Sequence, residues 1–480
     1  MKRPNILWIC TDQQRFDTLG CYQNEYVKTP NIDRLAKNGM LFENAFCQSP
    51  VCTPSRASFL TGRYPRTTRA RQNGQDIPQD EILVTRMLAD AGYACGLSGK
   101  LHLSACSPEK VIAGERRIND GYTQFHWSMH PHPDWPTNEY VQWLHAKGKA
   151  FAPVSFQDNQ FVQIGPESAN HQTTWCVDKA VGFIEAHEAF TNPWLFSVNT
   201  FDPHHPFDPP LEYLIPYMEK LEQIPLPNYV EGELKNKPFF QQCDHHGAYG
   251  MSNNYPYPKM SDYDHRLIRA SYWAMIDHID RQVGRLIDTL EHTGQMEDTI
   301  VISMSDHGEM LGDHGIYLKG PHFYEPAIHV PLIVSYPGVI PANTRYRGLV
   351  ELIDLAPTLL EAASIPAHPG IQGKSLWSLL TRKGDNASHR QSIYCEHYNA
   401  SFTQQGKRGF ATMVRTERYK LVTYHERNEG ELYDLHTDPN ETYNRWDDAD
   451  YFEIKLEMFS LLSDRMAGTV DPLPERTAIW

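Results

Sequence analysis

The chain has 480 residues, 40% of them apolar, and a formal net charge of -15, so it can bury a sizeable core and is expected to form one large and one small domain. That charge argues against nucleic acid or an anionic membrane as partner, because either would be repelled over most of the surface, and an anionic substrate would need a local basic pocket. No apolar run approaches the length of a bilayer span, so no membrane helix is expected.

Lys2 and Arg3 are followed at once by Pro4 and a strand-like segment rather than a secretory leader, which predicts a cytoplasmic protein, or a secreted or periplasmic one if a leader has been removed. Ile6 to Ile9 is a first short apolar run and ends at Asp12 and Gln13. Thr29 with Pro30 opens a helix that Gly39 closes, and a second helix follows Cys52, with Pro54 in its first turn and Gly62 at its stop. Position 52 then lies at a helix N-terminus, where free N–H groups, the dipole and Arg56 one turn away all favour an anion. A buried structural thiol is the plainer alternative for Cys52. Arg63, Arg66, Arg69 and Arg71 crowd the next loop, as a solvated surface or a steering patch for an anionic sugar.

Asp80 to Ala91 predicts a helix, and Tyr93 to Leu97 a strand that ends at Lys100 and His102. A long insertion carries Trp127, His130, His132, Trp135 and the 140–144 stretch, suited to core packing and, as the bolder reading, to a sugar platform. Trp194 to Val198 runs into His204 and His205; His245 and His246 have no assigned role. A long helix spans about 262–292, its apolar residues at three and four spacing, and Ile300 to Met304 is a strand that ends at Asp306 and His307. His314, Lys319 and His322 follow, then a fifth strand over 331–335.

After about Pro369 the composition shifts, giving expected domains of 1–370 and 371–480. Strands at 392–396, 409–415, 419–424 and 431–435 with brief links predict an antiparallel sheet, and 452–466 a terminal helix. Strands alternating with helices over the first part predict a mostly parallel sheet with helices on both faces. Polar groups then sit just beyond the carboxyl ends of four separate strands, where open α/β sheets place their ligand sites. Nine scattered cysteines without a CxxC pair predict reduced thiols rather than a disulfide scaffold or zinc site. Sequons at Asn386, Asn399 and Asn440 carry no meaning without secretion.

The run Cys52-Thr-Pro-Ser-Arg-Ala-Ser-Phe-Leu-Thr-Gly-Arg63 resembles the signature of the type I sulfatases, CxPSRxxxLTGR, in which the cysteine is oxidised to formylglycine. A hydrated aldehyde suits sulfate transfer: one hydroxyl attacks, and deprotonation of the second expels sulfate, an exit that a thiolate lacks. The resemblance covers nearly the whole chain and implies an alkaline phosphatase-like fold with a C-terminal four-stranded sheet and helix. Leu432 to Glu441 is similar to the family's LYDLxxDPxE turn, a structural segment.

The resemblance implies that Asp12, Gln13, Asp306, His307 and modified Cys52 hold one divalent cation, calcium first, with magnesium or manganese behind. Gln13, where many sulfatases have a second aspartate, and His307, where others have asparagine, resemble a branch with choline sulfatases and phosphonate monoester hydrolases. Gln13 would remove one negative charge, leaving the cation more electrophilic and more weakly bound. Gly99 to His102 resembles GKxH, implying that Lys100 binds sulfate and His102 is the base that releases it. Pro203 to Phe207 is similar to PHxPF and implies His204 as general acid, while Lys319 resembles a lysine bridging sulfate and leaving group. Arg56, Lys100 and Lys319 would stabilise charge on the transferred group.

The expected function is hydrolysis of an O-sulfate ester of a carbohydrate, after maturation by a formylglycine-generating enzyme. The Lys100–His102 motif disfavours the first alternative, a phosphonate monoester or phosphodiester hydrolase, whose relatives carry hydroxylic residues there. A second is a non-catalytic binder of sulfated glycans with Cys52 unmodified. Which sugar, which position, and the oligomeric state are left open.

Overall fold

The computed structural model describes residues 3–130, 135–382, 388–399, 406–476 and 478, so His132 and Asn386 lie outside the described residues. Strands in chain order are β1 Asn5–Thr11, β2 Met40–Phe46, β3 Ala94–Gly99, β4 Gln124–Trp127, β5 Val154–Ser155, β6 Gln163–Ile164, β7 Trp194–Asn199 and β8 Thr299–Ser305. They continue as β9 His329–Val330, β10 Leu332–Ser335, β11 Thr344–Glu351, β12 Ile393–Tyr398, β13 Phe410–Arg415, β14 Tyr419–Tyr424 and β15 Glu429–Asp434.

The large sheet has the order β11-β2-β10-β8-β1-β7-β3-β4, with β9 on β2. Its neighbours β8, β1, β7, β3 and β4 all pair in parallel, whereas β10 runs antiparallel to β8 and β2. Side-chain alternation along β1 explains the layering: Ile6, Trp8 and Cys10 enter one apolar core, Leu7 and Ile9 the other. The first core takes Ala57, Phe59 and Leu60 from helix Cys52–Thr61 and Leu355, Leu359 and Leu360 from helix Leu355–Ala362. The second takes helix Asp262–His292, whose bounds coincide with the predicted periodic run and whose Ser261 and Asp264 form a capping box.

The predicted antiparallel unit is the sheet β12-β13-β14-β15. One face (Tyr394, Val414, Leu421, Leu432) packs on Met458 and Leu462 of helix Phe452–Ala467. The other (Cys395, Met413, Val422) joins the first core of the large sheet. Sequence reading missed β2 and β11. Glu43 and Asn44 interrupt the apolar run of β2, and β11 carries Arg345, Arg347 and Gly348 in its first half and shifts register between Tyr346 and Leu349. Their strand character comes from pairing, a non-local property. Among the described residues no helix is long and apolar enough to cross a membrane.

Candidate active site

Strands β8, β1, β7 and β3 are consecutive in the sheet, and the loops after all four meet at one edge. Register fixes the first pair: Thr11 lies opposite Ser305, so Asp12 and Asp306 leave their strands side by side. Gln13 adopts φ 65°, held there by its N–H donating to Asp306 Oδ1 at 3.0 Å and by its carbonyl accepting from the Tyr272 hydroxyl. On β3, Gly99 at φ 99° is obligatory, since a Cβ there would stand 1.8 Å from the Asn199 carbonyl oxygen, and it turns the chain so that Lys100 follows. Cys52 is the first residue of helix Cys52–Thr61, which ends on Gly62 at φ 69°.

These elements converge on the Cys52 sulfur. Lys319 Nζ donates to it from 3.2 Å and Lys100 Nζ from 3.4 Å. His307 Nε2 stands at 3.2 Å and Asp12 Oδ1 at 3.7 Å. His102 and His204 stand beside the same sulfur and feel its charge. Lys319 Nζ also donates to Gln13 Oε1 at 2.6 Å and to His204 Nε2 at 2.8 Å, and Lys100 Nζ pairs with Asp12 Oδ2 at 2.6 Å. The structure therefore brings Asp12, Gln13, Cys52, Lys100, His102, His204, Asp306, His307 and Lys319 into one cluster.

Arg56 belongs to the cluster, but faces differently from its expected role as a cation on the transferred group. Its Nη2 donates to Asp12 Oδ2 and its Nε to Asp306 Oδ2, both at 2.9 Å, and its Nη1 to the Lys100 carbonyl at 2.8 Å. Fully buried, it clamps the two carboxylates and the strand carrying Lys100.

Chemistry fixes the ring hydrogens of two imidazoles. His307 Nδ1 is 2.9 Å from the Gly308 carbonyl, which only accepts, so Nδ1 carries a hydrogen. Burial would lower this ring, but Asp306 and the Cys52 charge outweigh it and raise it to about 9, so without a metal Nε2 is protonated too and its lone pair is freed for a cation only when that proton leaves. His204 Nδ1 faces the His205 carbonyl, leaving Nε2 to accept from Lys319. Burial, and then Lys319, push His204 down to about 4, and burial with Lys100 does the same to His102, so both are neutral at pH 7. Burial would raise the Cys52 thiol, but Lys100, Lys319 and His307 outweigh it and hold the group far below the ordinary thiol range. Burial and the Cys52 charge oppose ionisation of Asp12, yet Lys100, His204 and Arg56 keep it below the usual carboxylate range.

Asp12, Cys52, Asp306 and His307 offer ligand atoms within 4.8 Å of one another, and all four are buried. Two carboxylates, an imidazole lone pair and the nearby Gln13 oxygen make a donor set that fits a hard divalent cation. His171, Asp202 and His278 form a second buried group; there Thr173 donates to the Asp202 carboxylate at 2.9 Å, and the Asp202 carbonyl accepts from Asp12 N–H at 3.2 Å. This group braces the loop beneath His204.

Sequence reading missed two buried glutamates. Glu115 accepts from the backbone N–H groups of His102, Leu103 and Ser104 and from the Trp127 indole, pinning the turn of His102. Glu309 accepts from Gln13 Nε2 and from Leu311 and Leu318 N–H. Nothing in their spacing flags the first, while the second lies two residues after His307. Other candidates fall away from the sulfur. Arg63, Arg66 and Arg69 are ion-paired, with Glu81 and Asp471, with Glu396, and with Asp80 and Glu81 respectively; Arg71 lies over the Tyr398 ring at 4.6 Å. His314 pairs with Glu233, His322 with Asp244, and His245 faces the Gly315 carbonyl. Trp127 and Trp135 stack on each other, and His130 lies edge-on to Phe201.

Comparison with known proteins shows the family. Residues 4–365 match the sulfatase family, and residues 312–467 match the C-terminal region of N-sulphoglucosamine sulphohydrolase. The chain belongs to the sulfatase family and is a sulfate ester hydrolase of mixed α/β fold. It is 29% identical to an arylsulfatase of Clostridium perfringens over 94% of this chain and 92% of that one. It is 26% identical to an N-acetylglucosamine-6-O-sulfatase of Bacteroides thetaiotaomicron, over 99% and 88% of the two chains. Among solved structures, the phosphonate monoester hydrolase of Silicibacter pomeroyi superposes with a TM-score of 0.84 at 24% identity, covering 98% and 96%.

Proposed function

We propose that this chain hydrolyses the O-sulfate ester of a carbohydrate, using a formylglycine made from Cys52 by a maturase and one divalent cation. The observation that carries the reading is the set of two ammonium groups, a carboxylate and an imidazole nitrogen within 3.2–3.7 Å of the Cys52 sulfur. Sugar rather than simple alkyl substrate is supported by the likeness to the N-acetylglucosamine-6-O-sulfatase over nearly the whole chain.

Asp12, Gln13, Asp306 and His307, with the modified side chain, would hold the cation. Calcium suits the oxygen donors, with magnesium or manganese next, and His307 makes manganese more acceptable than an all-oxygen site would. When bound, the cation polarises a sulfate oxygen and eases ionisation of the formylglycine diol. The hydrated aldehyde supplies one hydroxyl for attack and a second whose deprotonation releases sulfate.

The residues themselves divide the remaining work. Lys100 and Lys319, poised on the nucleophile, balance charge on the sulfuryl oxygens in a buried site. Neutral His102, beside the same atom, is placed to take the diol proton. The leaving oxygen is protonated from the Lys319–His204 pair: His204 is neutral, and the proton between them rests on the ammonium. Arg56 acts through Asp12 and Asp306, favouring the ionised form of each and holding both in place, against the burial and the Asp12 charge that raise Asp306. The contact of Lys100 and His102 with Cys52 favours sulfate over phosphonate monoesters.

A panel of sulfated mono- and disaccharides, an aryl sulfate and a phosphonate monoester tests the reading on matured, metal-loaded enzyme. A sulfated saccharide is expected to have the highest kcat/KM. Faster turnover of the phosphonate would replace the reading with a phosphonate hydrolase, and binding of sulfated sugar without turnover would replace it with a binder.

A further inference from the structure

Glu309 is wholly buried and leaves the cluster's chemistry to others, yet its carboxylate reaches the Gln13 amide. The partners of that amide are chemically unambiguous. Lys319 is an ammonium and can only donate, so the group 2.6 Å from it must be the Gln13 carbonyl oxygen. Glu309 accepts from Gln13 on one oxygen while its other oxygen takes the N–H groups of Leu311, at 2.9 Å, and Leu318. A carboxylate held this way offers Gln13 only an acceptor, so the amide NH2 turns to Glu309 and the oxygen turns inward.

We propose that Glu309 is a positioning residue that orients the Gln13 amide, presenting its oxygen to the cation site and to Lys319. The pair Gln13–Glu309 thus does the work of a single carboxylate at position 13, with the negative charge moved one hydrogen bond outward. Burial raises the Glu309 carboxyl, while the Leu311 and Leu318 N–H groups and the Gln13 amide favour its ionised form. In that form the charge that the sequence suggested was lost at Gln13 is kept in the site, and the weaker cation binding expected from its loss is correspondingly reduced. The inference rests on the metal-site reading above and concerns a residue with no assigned role in it. Supporting groups of this kind typically change metal affinity or activity by about 10–100-fold when altered.

An isosteric exchange isolates the effect. In Glu309→Gln, the new amide keeps its oxygen on the Leu311 and Leu318 N–H groups and turns its NH2 to the Gln13 NH2, so donor meets donor and the hold of Lys319 on the Gln13 oxygen is opposed; in Gln13→Glu, two carboxylates face each other. The double variant Gln13→Glu/Glu309→Gln restores a donor opposite an acceptor. Its new amide at position 309 can still accept from Leu311 and Leu318 through the oxygen, while the NH2 donates to the new carboxylate at position 13. Calcium and manganese affinity is measured by chelator competition on each protein, with kcat and KM for the best substrate and the melting temperature of the metal-free form. Each single variant is expected to lose about tenfold or more in cation affinity, with kcat falling more than KM rises, and the double variant is expected to return to within about threefold of the parent. A Glu309→Gln protein that binds both cations like the parent, or a double variant no better than the singles, overturns the proposal. If Glu309→Gln does not fold, the comparison of the double variant with Gln13→Glu decides alone. A parent that binds neither cation fails the metal-site reading itself, a result distinguishable from either outcome above.

Discussion

Replacing Arg56 by alanine removes the guanidinium that bonds both Asp12 and Asp306 at 2.9 Å in a fully buried setting. Truncating one partner of a buried ion pair costs about 3–5 kcal/mol, because the opposite charge is left uncompensated. Lys100 still holds Asp12 from 2.6 Å, while the cation then nearest Asp306 is His307 at 3.9 Å, so the group left short of charge is chiefly Asp306, and the loss stays in that range. With an unfolding entropy of about 2.1 cal/mol/K per residue over 480 residues, roughly 1 kcal/mol/K in all, this lowers the melting temperature of the metal-free protein by about 3–5 °C. A divalent cation among the same carboxylates supplies the missing positive charge, so the loaded variant loses less than the free one. Paired melting curves of parent and Arg56→Ala, with and without calcium, read both numbers. A loss under about 1 kcal/mol in the metal-free protein, or equal losses with and without calcium, refutes the clamp.

Lys319→Ala removes the proton donor paired with His204, and is expected to lower kcat by about 100-fold or more for a saccharide ester, but far less for a nitrophenyl sulfate whose leaving group needs no proton; equal losses for both substrates contradict the assignment. Neutral His102 and His204, each pushed down to about 4, predict kcat that is level from neutral pH downward and falls only as pH drops through that region and the imidazoles take up a proton. A midpoint near the ordinary histidine value would show that neither ring is tuned as described. In metal-free, unmodified protein, Cys52 is a thiolate at neutral pH, so its alkylation by iodoacetamide is expected to be independent of pH between about 7 and 9, whereas Cys10 and Cys95, raised by burial, stay unmodified; peptide mapping separates them. Gly99→Ala, whose methyl would meet a backbone carbonyl at 1.8 Å, is expected to fold poorly or to lose activity, and unchanged melting and kcat would count against the tight β3–β7 turn.

Much of this arrangement is legible in the amino-acid order because strand ends and helix starts are local signals. Asp12, Lys100, His204 and Asp306 each follow a short apolar run, and Gly62 closes the helix that Cys52 opens. What the order could not show is direction. Arg56 reads as a sulfate-binding cation one turn from Cys52, and only the packed structure spends its guanidinium on two carboxylates and a carbonyl. Glu309 reads as the tail of a ligand motif, and its partner lies 296 residues away. Strand β2, with polar residues at its centre, is likewise defined by its neighbours β10 and β11 rather than by its own sequence. The recognition of one sugar over another rests on groups around the leaving alcohol, where short motifs carry no record of shape.

The most direct test is the mass of the peptide spanning residues 52–56 alongside the rate of sulfate release, in preparations made with and without a maturase. The account predicts that turnover rises in proportion to the fraction of chains in which the Cys52 thiol has become an aldehyde, with the loss of sulfur and two hydrogens and the gain of one oxygen. Full turnover from a preparation that is entirely thiol would contradict it.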